Sequence, residues 1–90
     1  AVGVQALRNN TTGYLNTAVG GNALTSNTTA TRNSAFGRSA LSCNTTGGLN
    51  TGLGFEALKL NTIGAYNTAV GVYSLCANTT GNENTPDRRS

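Results

Sequence analysis

A five-residue segment recurs along this chain at a fixed spacing. Asn16-Thr17-Ala18-Val19-Gly20 returns at residues 33–37, 50–54 and 67–71, each time 17 residues later, and one further step reaches Asn84-Thr85. A strict period is typical of repeat architectures, in which each repeat stacks on the next. It also argues against disorder, although the chain is polar, because a disordered linker has no reason to keep register.

Two positions of the repeat hold large apolar side chains throughout, and we expect both columns of residues to point inward. The valine column contains Val2, Val19, Phe36, Leu53 and Val70, and the leucine column contains Leu7, Leu24, Leu41, Leu58 and Leu75. Small residues, mostly alanine, precede each of these columns. Small side chains would let the two faces of a thin coil approach closely.

Glycine follows the valine column in every repeat, and it recurs after the Thr pair in all repeats but one. This pattern indicates two corners per repeat, where positive φ or close approach is needed. Helix is disfavoured by the abundance of Asn, Thr and Gly and by the lack of apolar residues at helical spacing. The sequence therefore predicts an all-β parallel β-solenoid (β-roll) with five 17-residue coils of two or three strands each. It spans residues 1–85, and a C-terminal arm, residues 86–90, follows.

Two further columns consist of asparagine. The first contains Asn16, Asn33, Asn50, Asn67 and Asn84, and the second contains Asn10, Asn27, Asn44, Asn61 and Asn78. Stacked amides about 4.8 Å apart can form a hydrogen-bonded ladder, which is our interpretation of the first column. For the second column two interpretations stay open. Asn10, Asn27, Asn44 and Asn78 fit the glycosylation motif N-x-S/T, so this column either carries surface glycans or caps a turn beside the Thr pair.

The charged residues make up only 10% of the chain, with a net charge of +3, and the basic ones are scattered. Nucleic-acid binding favours a clustered basic stripe, so we expect no nucleic-acid partner. No apolar run is long enough to span a membrane, and we expect no membrane insertion. There is no His, and Glu56 and Glu83 stand in different columns. We therefore expect no enzymatic activity, no metal and no cofactor.

The two cysteines, Cys43 and Cys76, lie nearly two repeats apart in adjacent columns. Two strand spacings separate their Cα atoms by about 10 Å, whereas a disulfide needs about 4.4–6.8 Å. An intrachain bridge is not expected. A free thiol and a lateral bridge between subunits both stay open.

The ends of the sequence favour self-assembly. Residues 1–85 make five whole periods, so a second copy would continue Asn84-Thr85 into Ala1-Val2 in register. Pro86 cannot donate a ladder hydrogen bond, which suits a strand end. The residues that we predict for head-to-tail assembly are Ala1, Val2, Gly3, Val4, Asn84, Thr85, Pro86, Arg88 and Arg89. The aromatic residues that would reinforce it are Tyr14, Phe55, Tyr66 and Tyr73.

The pattern N-T-A-V-G-x-x-A-L resembles the head repeats of trimeric autotransporter adhesins. It is carried by Asn16 to Gly20 with Ala23 and Leu24, and by the same positions in the other repeats. It is also similar to repeat segments of phage tail fibres and other bacterial surface fibres. The resemblance covers residues 1–85 and implies a parallel β-roll in which three chains associate. The present repeat is longer and adds a Thr-Thr-Gly segment.

Three functions follow as hypotheses. The first is a structural subunit of an extracellular homopolymeric filament whose partners are copies of itself. The second is an adhesin or tail-fibre fragment at the cell surface, a trimeric binding module. Its seam would be Leu15, Leu49 and Tyr66, or Val4, Phe55 and Val72. The third is ice binding by a threonine column, which contains Thr11, Thr28, Thr45, Thr62 and Thr79. The adjacent Thr pair argues against it, because neighbours in a strand point oppositely.

Overall fold

The computed structural model describes residues 1–83, which contain no helix and one parallel sheet. Its four strands are β1 Thr17–Val19, β2 Ser34–Phe36, β3 Thr51–Leu53 and β4 Thr68–Val70, in sheet order β1-β2-β3-β4. Ala18 pairs with Ala35, and Val2 adds an isolated parallel bridge to Val19. The all-β class is confirmed. Each of the second to fifth repeats contributes one strand to the sheet, not two or three, and the first contributes only the Val2 bridge.

Backbone hydrogen bonds join successive repeats outside the strands as well. In the second repeat, the Leu24 N–H donates to the Ala40 carbonyl (3.0 Å), and the Ser26 N–H donates to the Ser42 carbonyl (3.2 Å). Equivalent bonds recur in the neighbouring repeats. The repeats are therefore stacked on one another well beyond the sheet, which is consistent with a parallel β-solenoid.

The chain turns sharply between the strand and the leucine column. The Ala23 N–H donates to the Gly20 carbonyl, and the Thr25 N–H donates to the Asn22 carbonyl, which closes two overlapping turns. Their third residues, Asn22 and Leu24, have φ of 63° and 52°, as a type II turn requires. A left-handed conformation costs a residue with a side chain roughly 1–2 kcal/mol. Burial of the leucine offsets that cost once per repeat.

The leucine column forms the apolar core, as predicted. Leu24, Leu41 and Leu58 are 0% exposed. Alanines from the two small-residue columns surround them: Ala18, Ala23, Ala35, Ala40, Ala57 and Ala69. Leu7 and Leu75, in the first and last described repeats, are partly buried against the same cluster.

The valine column lies outside this core, and that part of the prediction is wrong. Val2 and Val70 are each 65% exposed, Phe36 is 40% and Leu53 is 37% exposed, and Val19 is only partly buried. Side chains alternate along a strand, and in every strand here the middle residue, Ala or Gly, is the buried one.

The valine column is exposed because the interior is thin. A Cβ placed on Gly52 would lie 3.6 Å from Leu41 Cγ, so the space opposite the leucines holds a methyl group and nothing larger. The register that buries the small column therefore turns the valine column to the outside.

Amides fill the other part of the interior. In the second asparagine column, Asn44 Nδ2 donates to Asn27 Oδ1 (3.1 Å) and to the Gly47 carbonyl (2.9 Å). Asn44 Oδ1 accepts from Asn61 Nδ2 (2.9 Å). The same bonds connect Asn10 and Asn78 into one ladder along the stack. The predicted amide-to-amide ladder therefore runs through the second column rather than the first.

The first asparagine column bonds to the backbone instead. Asn33 Oδ1 accepts from the Asn50 N–H of the next repeat (2.9 Å), and Asn33 Nδ2 donates to the Gly47 carbonyl (2.9 Å). The Gly47 carbonyl thus accepts one bond from each asparagine column. Within residues 1–83, no buried side-chain nitrogen or oxygen lacks a hydrogen-bond partner.

Truncating one leucine from each apolar column should separate their roles. We expect Leu41→Ala to lower the free energy of unfolding by about 2–5 kcal/mol, since the side chain is fully buried. Leu53→Ala should lower it by about 1 kcal/mol or less, since that side chain faces outward. Denaturant unfolding monitored by circular dichroism measures both. Equal losses would place both columns in the core.

Removing one amide from the ladder should be at least as damaging as removing a core leucine. Asn44→Ala breaks three hydrogen bonds and leaves Asn27 Oδ1 buried without this donor. We expect a loss of about 3 kcal/mol or more in the free energy of unfolding, because each buried unsatisfied group costs about 1–3 kcal/mol. Asn9→Ala, at an exposed asparagine in the first repeat, is the matched control and should change it little. A loss no larger than that of the control would contradict the ladder.

Candidate assembly interface

The candidate glycosylation sites belong to the amide ladder. Asn27 and Asn44 are fully buried, and their Nδ2 atoms, which a glycan would have to carry, donate hydrogen bonds inside the stack. Asn10 and Asn78 are partly exposed, but their Nδ2 atoms donate to the Gly13 carbonyl (3.0 Å) and the Gly81 carbonyl (3.2 Å). A glycan requires this column to face solvent. Asn27 and Asn44 do not meet that condition, and the glycan interpretation is wrong for them.

The threonine column directs its hydroxyl groups along the stack. The Oγ1 atoms of Thr11, Thr45 and Thr62 each donate to the threonine carbonyl of the next repeat, at 3.1, 3.3 and 3.3 Å. These hydroxyl protons are therefore not offered outward as a regular array. The arrangement gives no support to ice binding by this column.

The same threonine carbonyls are surrounded by backbone donors. The N–H groups of Thr45, Thr46 and Gly47 all lie 3.1–3.3 Å from the Thr62 carbonyl oxygen of the next repeat. A Cβ on Gly47 would collide with the Gly64 carbonyl oxygen, so glycine here permits close contact between repeats. In the second repeat Ala30 takes this place, and only the Thr28 N–H reaches the next threonine carbonyl (3.3 Å). The glycine after the Thr pair, which the sequence predicts to form a corner, thus also lies at a contact between repeats.

The last described repeat presents these donors without a neighbour. Within residues 1–83, the N–H groups of Leu75, Thr79, Thr80 and Gly81 have no acceptor. Gly71 shows the same opening. Among residues 1–83, a Cβ there would meet nothing within 4 Å, whereas at the equivalent glycines of the second to fourth repeats it would lie 2.6 Å from a backbone atom of the next repeat.

The first repeat presents the matching acceptors. In the second repeat, the equivalent carbonyls, Ala23 and Thr28, accept hydrogen bonds from the repeat before. The Ala6 and Thr11 carbonyls have no backbone donor within residues 1–83. Among the predicted assembly residues, four are exposed at this end: Ala1, Val2, Gly3 and Val4. The others lie outside the described residues: Asn84, Thr85, Pro86, Arg88 and Arg89.

The predicted reinforcing aromatics lie on the surface. Tyr14, Tyr66 and Tyr73 are exposed, and Phe55 is partly buried. Phe55 and Tyr73 make an edge-to-face contact with ring centroids 5.6 Å apart. The Arg32 guanidinium lies 5.6 Å from the centre of the Tyr14 ring. These contacts join neighbouring repeats of one chain and leave ring surface open to a partner.

Other kinds of site are not evident in the described part of the chain. Cys43 and Cys76 are free and partly exposed. Residues 1–83 contain no group of His, Cys, Asp or Glu placed to hold a metal ion, and no pocket. They also contain no helix that could cross a membrane. The candidate interaction surfaces are the two ends of the stack and its exposed apolar columns.

Comparison with known protein families, with curated proteins and with solved structures finds no match for this chain. The likeness to adhesin head repeats therefore rests on the residues of the repeat alone.

Proposed function

We propose that this chain is a structural subunit of an extracellular homopolymeric filament, in which copies of a five-coil parallel β-solenoid stack head to tail. One observation supports the proposal best. Within residues 1–83, the backbone N–H groups without an acceptor in the last repeat match, position by position, the carbonyls without a backbone donor in the first.

The junction between two copies would repeat the contacts inside one copy. The Leu75 N–H would donate to the Ala6 carbonyl of the next copy, as the Leu24 N–H donates to the Ala40 carbonyl within the chain. The three N–H groups of residues 79–81 would surround the Thr11 carbonyl. The partly exposed Leu7 and Leu75 would then be buried as completely as Leu41.

Energetics favour such a junction. An edge of unpaired N–H and carbonyl groups is a template for pairing with another chain. A head-to-tail contact that does not close on itself propagates as a filament. The junction between two copies would consist mainly of backbone hydrogen bonds and one leucine contact, so its strength depends on the register between stacked repeats. The asparagine columns in the interior enforce that register.

A second candidate function is a trimeric binding module of the adhesin or tail-fibre kind. It is favoured by Leu15, Leu49 and Tyr66, large apolar side chains from one column that are all exposed. They could form a seam between three chains side by side. This arrangement would be a closed oligomer rather than a filament.

A methyl group at the open end should block stacking. We expect Gly71→Ala to keep the fold but to abolish or shorten filaments, since its Cβ meets nothing among residues 1–83 and would meet the Gly3 carbonyl region of the next copy. Electron microscopy and sedimentation velocity of the full-length protein measure the polymer. Circular dichroism verifies the fold, because φ at Gly71 is 120° and the substitution also strains the backbone.

Asn22→Ala is the matched control, because it places alanine at a left-handed φ of 63° away from both ends. It should leave filament length unchanged. Filaments of Gly71→Ala as long as those of the wild type would contradict the stacking contact. A wild-type protein that stays monomeric at high concentration would contradict the filament itself, and a closed trimer would favour the second candidate.

A further inference from the structure

The outer surface of the sheet is uncharged and largely apolar. We call it the strand face. It consists of the valine column and the hydroxyl residues two positions before it: Val2, Val19, Phe36, Leu53, Val70, Thr17, Ser34, Thr51 and Thr68. The strands are in register, so like residues lie above one another at about 4.8 Å spacing.

It is unusual for a column of large apolar side chains, such as the valine column, to face only solvent. Four of its five side chains rank among the exposed large hydrophobic residues of the protein. A contiguous apolar patch of this kind marks an interaction site. The interior has no room for these side chains, as the contact between a Cβ at Gly52 and Leu41 demonstrates.

We propose that the strand face packs against the strand face of a second copy, so that two stacks run side by side. The charged residues of the described chain all lie outside the face: Arg8, Arg32, Arg38, Glu56, Lys59 and Glu83. A charged partner would therefore find no counter-charge on it, whereas an identical face offers the same flat rows of apolar and hydroxyl groups. This inference rests on the proposed filament.

The size of the face explains why pairing depends on stacking. The valine column and the hydroxyl residues lie about 7 Å apart, and the five repeats are spaced by about 4.8 Å. Once side-chain width is included, the strand face of one chain therefore has an area of only a few hundred Å². A stable interface buries roughly 800 Å² on each partner. One copy is too short to pair firmly, but every copy added to a stack lengthens the same face. Lateral pairing and head-to-tail stacking therefore strengthen each other.

Mass per unit length is the measurement that counts stacks. One chain of 9.1 kDa occupying five rungs gives about 0.4 kDa per Å for a single stack and about 0.8 kDa per Å for a pair. We expect wild-type filaments of the full-length protein to show the higher value in scanning transmission electron microscopy.

The double variant Phe36→Thr with Leu53→Thr replaces two apolar residues of the face with a residue that strands favour. We expect it to form filaments with about half the wild-type mass per length, the ratio for one stack against two. The control is Leu60→Thr with Ile63→Thr, which removes two similarly exposed apolar side chains outside the face. The control should keep the wild-type value.

Wild-type filaments of single-stack mass would overturn the pairing and leave the face to another occupant, such as residues 84–90 or an apolar ligand. A paired mass retained by the double variant would also overturn it. If no filaments form, the proposed function fails, and the pairing, which depends on stacking, is overturned with it. Filaments of single-stack mass overturn the pairing alone.

Discussion

Each repeat is held together across its interior by one carbonyl group. The Gly47 carbonyl accepts hydrogen bonds from Asn33 and Asn44, and its equivalents do the same for their own asparagines. Buried amides are tolerated only when their hydrogen bonds are satisfied. The Oδ1 atoms of both columns accept hydrogen bonds from the next repeat, as Asn27 and Asn33 show, so any slip between repeats would break both sets of bonds at once. The 17-residue period is therefore fixed by polar groups in the interior more than by apolar contact.

The apolar part of the interior has a different constraint, which is width. Leucine approaches from one side and alanine or glycine from the other, and the distance between Leu41 and a Cβ at Gly52 leaves no further space. A chain with this cross-section cannot bury a second column of large side chains. It therefore exposes its valine column, which is the surface that we propose to pair with another copy.

We propose that copies associate through the ends of the stack and through the strand face, in perpendicular directions. At the ends, the N–H and carbonyl groups without partners among residues 1–83 are equivalent to those that join neighbouring repeats within the chain. On the strand face, the buried area would grow with the number of stacked copies. Both proposals follow from repetition, because a contact that a repeat can make with its neighbour can also be made by the same repeat in another chain.

The sequence by itself determined the period, the all-β class and the leucine core, because residues that recur at one spacing occupy one repeated environment. It could not determine which of the two apolar columns faces inward. Periodicity indicates that the residues of one column share an environment, but not whether that environment is the interior or the surface. That choice was made by steric fit across the thin interior. Likewise, Asn27 and Asn44 matched a surface glycan motif in sequence, but the tertiary structure buried them. Their amides complete their hydrogen bonds only when neighbouring repeats bring the next amide within about 3 Å.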